Sequence, residues 1–217
     1  MSIMSRIISY RTVDKTSVLA YLPAGDLTPD QRRILGLIRE RAQRAQDDLD
    51  HQGLDWGLTI PEALDHLLAG RADSDASYAA GAYARALQTI ISSHGSDPSD
   101  LGVYSKPATF FSALDDELRR LGVSADLLMY DHLFFGWDEM PFHLPYPVDG
   151  PNIGVLPLAK AKPIADAYRA VLDQMDQDFH YDVRQLIEML EFEHEEWEKC
   201  RKNGWYTPDS IFFSITG

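Results

Sequence analysis

Both ends of this chain are written as strands. Near the start, "IMSRIISYRTV" alternates in polarity over residues 3–12 and is rich in Ile, Tyr, Thr and Val. Near the end, "SIFFSIT" sets Ile211, Phe213 and Ile215 against Phe212, Ser214 and Thr216. Successive side chains of a strand point to opposite faces, so each pattern predicts one face turned to a core. Most of what lies between reads as helix. A solitary strand leaves its backbone N–H and C=O groups without partners, at a cost that folded proteins avoid. The two ends are therefore expected to pair with each other, with "NIGVLPL" as a third strand. That closure predicts a single α+β domain over residues 1–217. It is predominantly helical, with about seven helices packed on a small sheet that includes the N- and C-terminal strands.

The helices carry their own start signals. Asp14 offers an N-cap for a short helix that Pro23 and Gly25 end. "TPDQ" places Thr28 at an N-cap, Pro29 behind it and Gln31 at the third position, a capping box. "TIPE" repeats the device with Thr59, Pro61 and Glu62. Residues 75–93 form a small-residue helix suited to the centre of a helical layer, and 108–121 an amphipathic one closed by Gly122. "DLLMYDHLFF" is assigned to helix, although its periodicity also fits a buried strand. Further helices span Leu158–Asp176 and about Tyr181–Lys202. The stretch "HGSDPSDLGVYSKP" reads as a loop from its Gly, Pro, Ser and Asp content.

Charge narrows the partners. The chain carries 34 Asp+Glu against 20 Lys+Arg, a net charge of -14. Such a surface repels nucleic acid and anionic membranes and draws cationic partners. Cys200 is the sole cysteine, so no intrachain disulfide and no cysteine-based zinc site is expected. With no apolar run of spanning length and no signal-peptide pattern, the expected location is cytoplasmic.

The densest stretch is "GWDEMPFHLPYPVDGPNIGVLPL", residues 136–158. Its prolines exclude regular helix, and its aromatics supply apolar area that wants cover. It is expected to cross the fold as an ordered irregular segment that delivers "IGVLPL" to the sheet. Trp137, Asp138, Glu139, Phe142, His143 and Tyr146 are its candidate partner-binding residues, because aromatic anchors ringed by carboxylates suit a basic protein. The competing reading is a metal-dependent or acid–base hydrolase built from Asp131, His132, Asp138 and His143. Their spacing matches no recurrent metal motif, so no catalytic residue, metal ligand or cofactor is assigned. "EHEEWEKC" lacks the second histidine of a zinc-protease helix, since Glu198 stands four residues beyond His194. His194 is expected as a satisfied core histidine, and Glu191, Glu195 and Glu198 as a carboxylate stripe on one helix side. No phosphate-binding glycine loop and no nucleophile elbow is present.

The segment "MPFHLPYPVDGPNIGVLPLAKAKPIADAY" resembles the proline-rich turn and following helix of a domain of unknown function common in actinobacteria. The first strand with "YRTVDKTSVLAYL", the late helix pair and the closing strand after "KNGW" are similar to YfbM-like proteins. The likeness covers residues 1–22 and 140–217. It implies an α+β fold, no established activity and no residue role. By analogy with the stand-alone immunity proteins of bacterial toxin systems, the expected function is a non-enzymatic interaction protein. Its partner would be a protein such as a basic toxin, met through an acidic face; an uncharacterised scaffold is the third reading.

Overall fold

The architecture comes from a computed structural model that describes residues 5–135, 140–145, 152–205 and 207–216. Strand β1 (Arg6–Val13) and strand β4 (Ser210–Thr216) pair antiparallel, with Ile8 opposite Ile215 and Thr12 opposite Ile211. The two chain ends thus meet as the alternating patterns require. A four-stranded antiparallel sheet forms around them in the order β2-β1-β4-β3, where β2 is Ser99–Tyr104 and β3 is Asn152–Pro157. Strand β2 lies where a loop was expected. Only Leu101, Val103 and Tyr104 are apolar there, and the rest reads as a turn. The strand exists because β1 supplies a ladder to complete: Ile7 faces Val103 and Ile8 faces Gly102. The register then shifts before Ser9 meets Asp100, which leaves Leu101 as the extra residue of a bulge.

Eight α-helices are present among the described residues. By contacts the chain divides into two compact units. The first combines Met1–Val13, Pro98–Trp137 and Ile153–Gly217; the second combines Asp14–Asp97 and Asp138–Asn152.

In the first unit, helices α5 (Pro107–Arg120), α6 (Met129–Phe134), α7 (Leu158–Val171) and α8 (Gln177–Asn203) cover one face of the sheet. Ile8, Ile211, Phe213 and Ile215 from the sheet bury against Phe111, Leu114, Ile164, Tyr168, Leu186 and Leu190. Each fully buried aliphatic or aromatic side chain contributes about 1.5–3 kcal/mol, so this cluster dominates the stability of the unit. "DLLMYDHLFF" is helical, as a 3-10 turn over Ala125–Leu127 followed by the short α6. Helix α8 ends at Gly204, whose φ of 65° is the left-handed conformation a helix stop requires.

In the second unit, α1 (Lys15–Leu19), α2 (Pro29–His51), α3 (Ile60–Leu68) and α4 (Ala79–Ile91) are all helical, and α2, α3 and α4 pack on one another. Both capping boxes form: Thr28 with Gln31, and Thr59 with Glu62. Helix α4 buries ten residues, five of them Ala79, Gly81, Ala82, Ala84 and Ala86, and holds the central place its small residues suggest. The phenol of Tyr83 accepts a hydrogen bond from the Ser74 N–H and lies 2.8 Å from His66 Nδ1. Its own proton has His66 Nδ1 as acceptor, which fixes the loop after α3 onto α4.

Candidate functional site

The residues singled out in the proline-rich segment divide between two cases. Trp137, Asp138, Glu139 and Tyr146 lie outside the described residues. Phe142 is half-buried and His143 exposed. Of the alternative hydrolase cluster, Asp131 is exposed on α6 and His132 is committed elsewhere. Its Nδ1–H donates to the Val155 carbonyl over 3.1 Å, and burial pulls its pKa below the usual imidazole range. Among the described residues, no group of three or more His, Cys, Asp or Glu side chains comes together in a way that could hold a metal ion.

The role of His132 becomes clear at Gly154. A β-carbon on Gly154 would sit 2.6 Å from the Leu133 carbonyl carbon, so the α6 backbone rests directly on β3. Together with the His132 bond, this close approach covers β3, an outer strand of the sheet, with a helix.

At the opposite side of the sheet, β2 is treated differently. Helix α8 runs alongside it in the reverse direction. Asp182 meets Tyr104 at one end of β2, and Glu193 meets Tyr10, the cross-strand partner of Ser99, at the other. Five strand residues and eleven helix residues both advance about 16 Å, so helix and strand keep pace. Tyr104 is buried and donates to the Asp182 carboxylate; burial and that charge together push its phenol well above the usual range. Tyr10 is raised too, by burial and then by the charge of Glu193, with the Ser99 hydroxyl opposing. Glu193 is itself half-buried, and its carboxyl is pushed up to about 7, first by burial and then by Glu196. Lys199 holds Glu196 at 2.6 Å in an exposed pair, the kind that contributes about 0–1 kcal/mol and exchanges readily.

On this flank of α8, Asp182 accepts from Tyr104 and Glu196 is paired with Lys199, so Glu193 is the carboxylate whose charge burial and a neighbour oppose. The expected stripe of Glu191, Glu195 and Glu198 lies elsewhere on the helix. Glu191 pairs with Arg169 on α7 and Glu198 with Arg201, while Glu195 is exposed. His194 is half-buried, beside Trp197, but its Nδ1 is buried without a hydrogen-bond partner, so it is not the satisfied histidine expected. Asp182, Glu193 and Glu196 were missed because β2 was read as a loop. Without a strand there, nothing distinguished their side of α8 from any other.

On the sheet's other face, the cross-strand pair Ile7 and Val103 is 41% and 66% exposed. Apolar exposure on an outer strand is a feature that proteins usually suppress.

A second buried polar pair lies inside the first unit. Asp115 on α5 is 2% exposed and accepts from the Tyr130 N–H at the start of α6, over 3.3 Å. Burial pushes its carboxyl up to about 6. Tyr168 on α7 is wholly buried nearby, its phenol raised by burial and by the Asp115 charge. Asp115 caps α6 from within the core, and both groups are out of reach of a partner.

A family model described as a domain of unknown function (DUF7691) matches residues 4–214. The match agrees with the expected domain of unknown function and supplies no link to YfbM-like proteins. No curated protein and no solved structure matches.

Proposed function

The chain belongs to the DUF7691 family, and we propose that it is a non-enzymatic, cytoplasmic bacterial interaction protein that binds a basic protein partner. The pairing would be of the kind an immunity protein makes with its toxin. The observation that carries this reading is the flank of α8 beside β2, where Asp182 stands at one end and Glu193 with Glu196 at the other. Glu193 is half-buried next to a second carboxylate, so its ionised form is held at a disadvantage. A lysine or arginine arriving from a partner removes that disadvantage, which turns local electrostatic cost into affinity. The chain's net charge of -14 speeds the encounter by long-range attraction. No helix among the described residues is long and apolar enough to cross a membrane.

The test is calorimetric. Basic toxins encoded beside the gene are titrated into the protein at low and at physiological salt, alongside a Glu193→Lys/Glu196→Lys variant. The expected result is salt-sensitive binding that the charge reversal abolishes. Binding unchanged by the double reversal removes this flank as the contact.

A further inference from the structure

The sheet treats its two outer strands unequally. Strand β3 is closed by α6 through Gly154 and His132. Along the other side of β2, among the described residues, no strand pairs, although β1 occupies its inner side fully. An outer strand left this way presents a row of backbone donors and acceptors, a template for one more strand. The usual protections are partial here: the bulge at Leu101 interrupts the middle of the strand and Asp100 carries a charge, but Val103 stands 66% exposed on the stretch that follows.

The surroundings specify what would fit. On the α8 side lie Asp182, beside Tyr104 at one end of the strand, and Glu193 with Glu196, beside Tyr10 where β1 pairs with Ser99 at the other. Below the strand, on the outer face of the sheet, lie Val103 and Ile7. An added strand points alternate residues to these two faces. We propose that the outer edge of β2 takes up an extended segment of a partner protein as a fifth strand, in which basic residues facing α8 alternate with apolar residues facing Val103 and Ile7. This rests on the reading of the α8 flank as a basic-partner site and adds the mode of docking and the pattern of the docked segment. A second copy of the chain is the poorer occupant, because pairing β2 with β2 would bring Asp100 and the α8 carboxylates of two acidic chains together.

The probe is a capped synthetic hexapeptide that alternates Lys and Val. Three relatives accompany it: the same residues in two blocks, a Glu/Val alternate, and the Lys/Val alternate with N-methyl groups along one backbone edge. Binding to the full chain is followed by amide chemical shifts and hydrogen exchange at low salt. The expected outcome is protection of amides in residues 99–104 by the alternating basic peptide, and no binding of the acidic one. N-methylation weakens binding at least about tenfold, the equivalent of one or two lost hydrogen bonds. Val103→Lys weakens it by a similar factor, because the peptide's valines lose their apolar contact on the lower face. Equal binding of the block and N-methylated peptides, with shifts on α8 alone, overturns strand addition while the basic-partner reading stands. Failure of every basic peptide removes both. Concentration-dependent protection of β2 without peptide assigns the edge to a second copy and overturns the proposal.

Discussion

One methyl group at Gly154 tests how α6 is seated on β3. A β-carbon there would lie 2.6 Å from the carbonyl carbon of Leu133 and nearer still to the carbonyl oxygens of His132 and Leu133. Carbon atoms in contact prefer about 3.5–4.0 Å, so α6 must withdraw by about 1 Å. The obstacle is helix backbone, which has no rotamer to swing aside. Overpacking of this kind costs about 1–3 kcal/mol. The withdrawal also stretches the 3.1 Å bond from His132 Nδ1 to the Val155 carbonyl out of range, at about 1 kcal/mol more. Gly154→Ala is thus expected to destabilise the protein by about 2–4 kcal/mol, a fall in Tm of roughly 5–15 °C for a chain of this size. Urea unfolding followed by circular dichroism measures it. Gly36→Ala is the control: this glycine is exposed within α2, with nothing within 4 Å of an added β-carbon. It should gain about 0.5–1 kcal/mol from helix propensity. A Gly154→Ala change smaller than about 0.5 kcal/mol would refute the close-packed seat.

Asp115 makes stability depend on pH. Its folded pKa, about 6, lies above the ordinary carboxylate value of 3.8, so the folded state holds the proton more tightly and stability falls as pH rises between the two. Asp115→Asn should remove up to about 3 kcal/mol of that decline between pH 4 and 7, read from denaturant midpoints across the range; an unchanged slope counts against the assignment. Glu193 should link partner binding to pH. A cation favours its ionised form, so affinity rises with pH through about 7 by at most about tenfold per unit, and Glu193→Gln flattens the profile in calorimetry. Thr28→Ala removes the bond that caps α2 and should cost about 1 kcal/mol in thermal unfolding, with no effect on binding at the α8 flank.

Much of the fold could be read from polarity and caps. The terminal strands announced themselves by alternation, and pairing followed because an isolated strand is untenable. Thr28 and Thr59 marked helix starts to the residue, since a capping box is a local hydrogen-bond arrangement. Strand β2 escaped because its stability is borrowed: with Ser99, Asp100 and Gly102 it has little strand preference of its own and forms on β1. That omission hid the candidate site, because the meaning of Asp182 and Glu193 depends on which strand α8 lies against. His132 illustrates the reverse difficulty. Beside Asp131 it looked like chemistry, whereas its ring completes the backbone of a strand more than twenty residues later. Nothing in local spacing signals a histidine spent in that way.

The meeting of β1 with β4 also governs the order in which the molecule can be made. On a ribosome, residues 6–13 emerge long before residues 210–216 and must wait for them before the ladder on that side can close. Helices α2, α3 and α4 are contiguous in the chain and can assemble meanwhile from nearby contacts, whereas the sheet has to close a loop of nearly the whole length. Until the last strand is released, Ile8 and its neighbours have no lasting cover. A nascent chain stalled within α8 would therefore carry an unfinished sheet and be prone to aggregation, even with most of its helices in place.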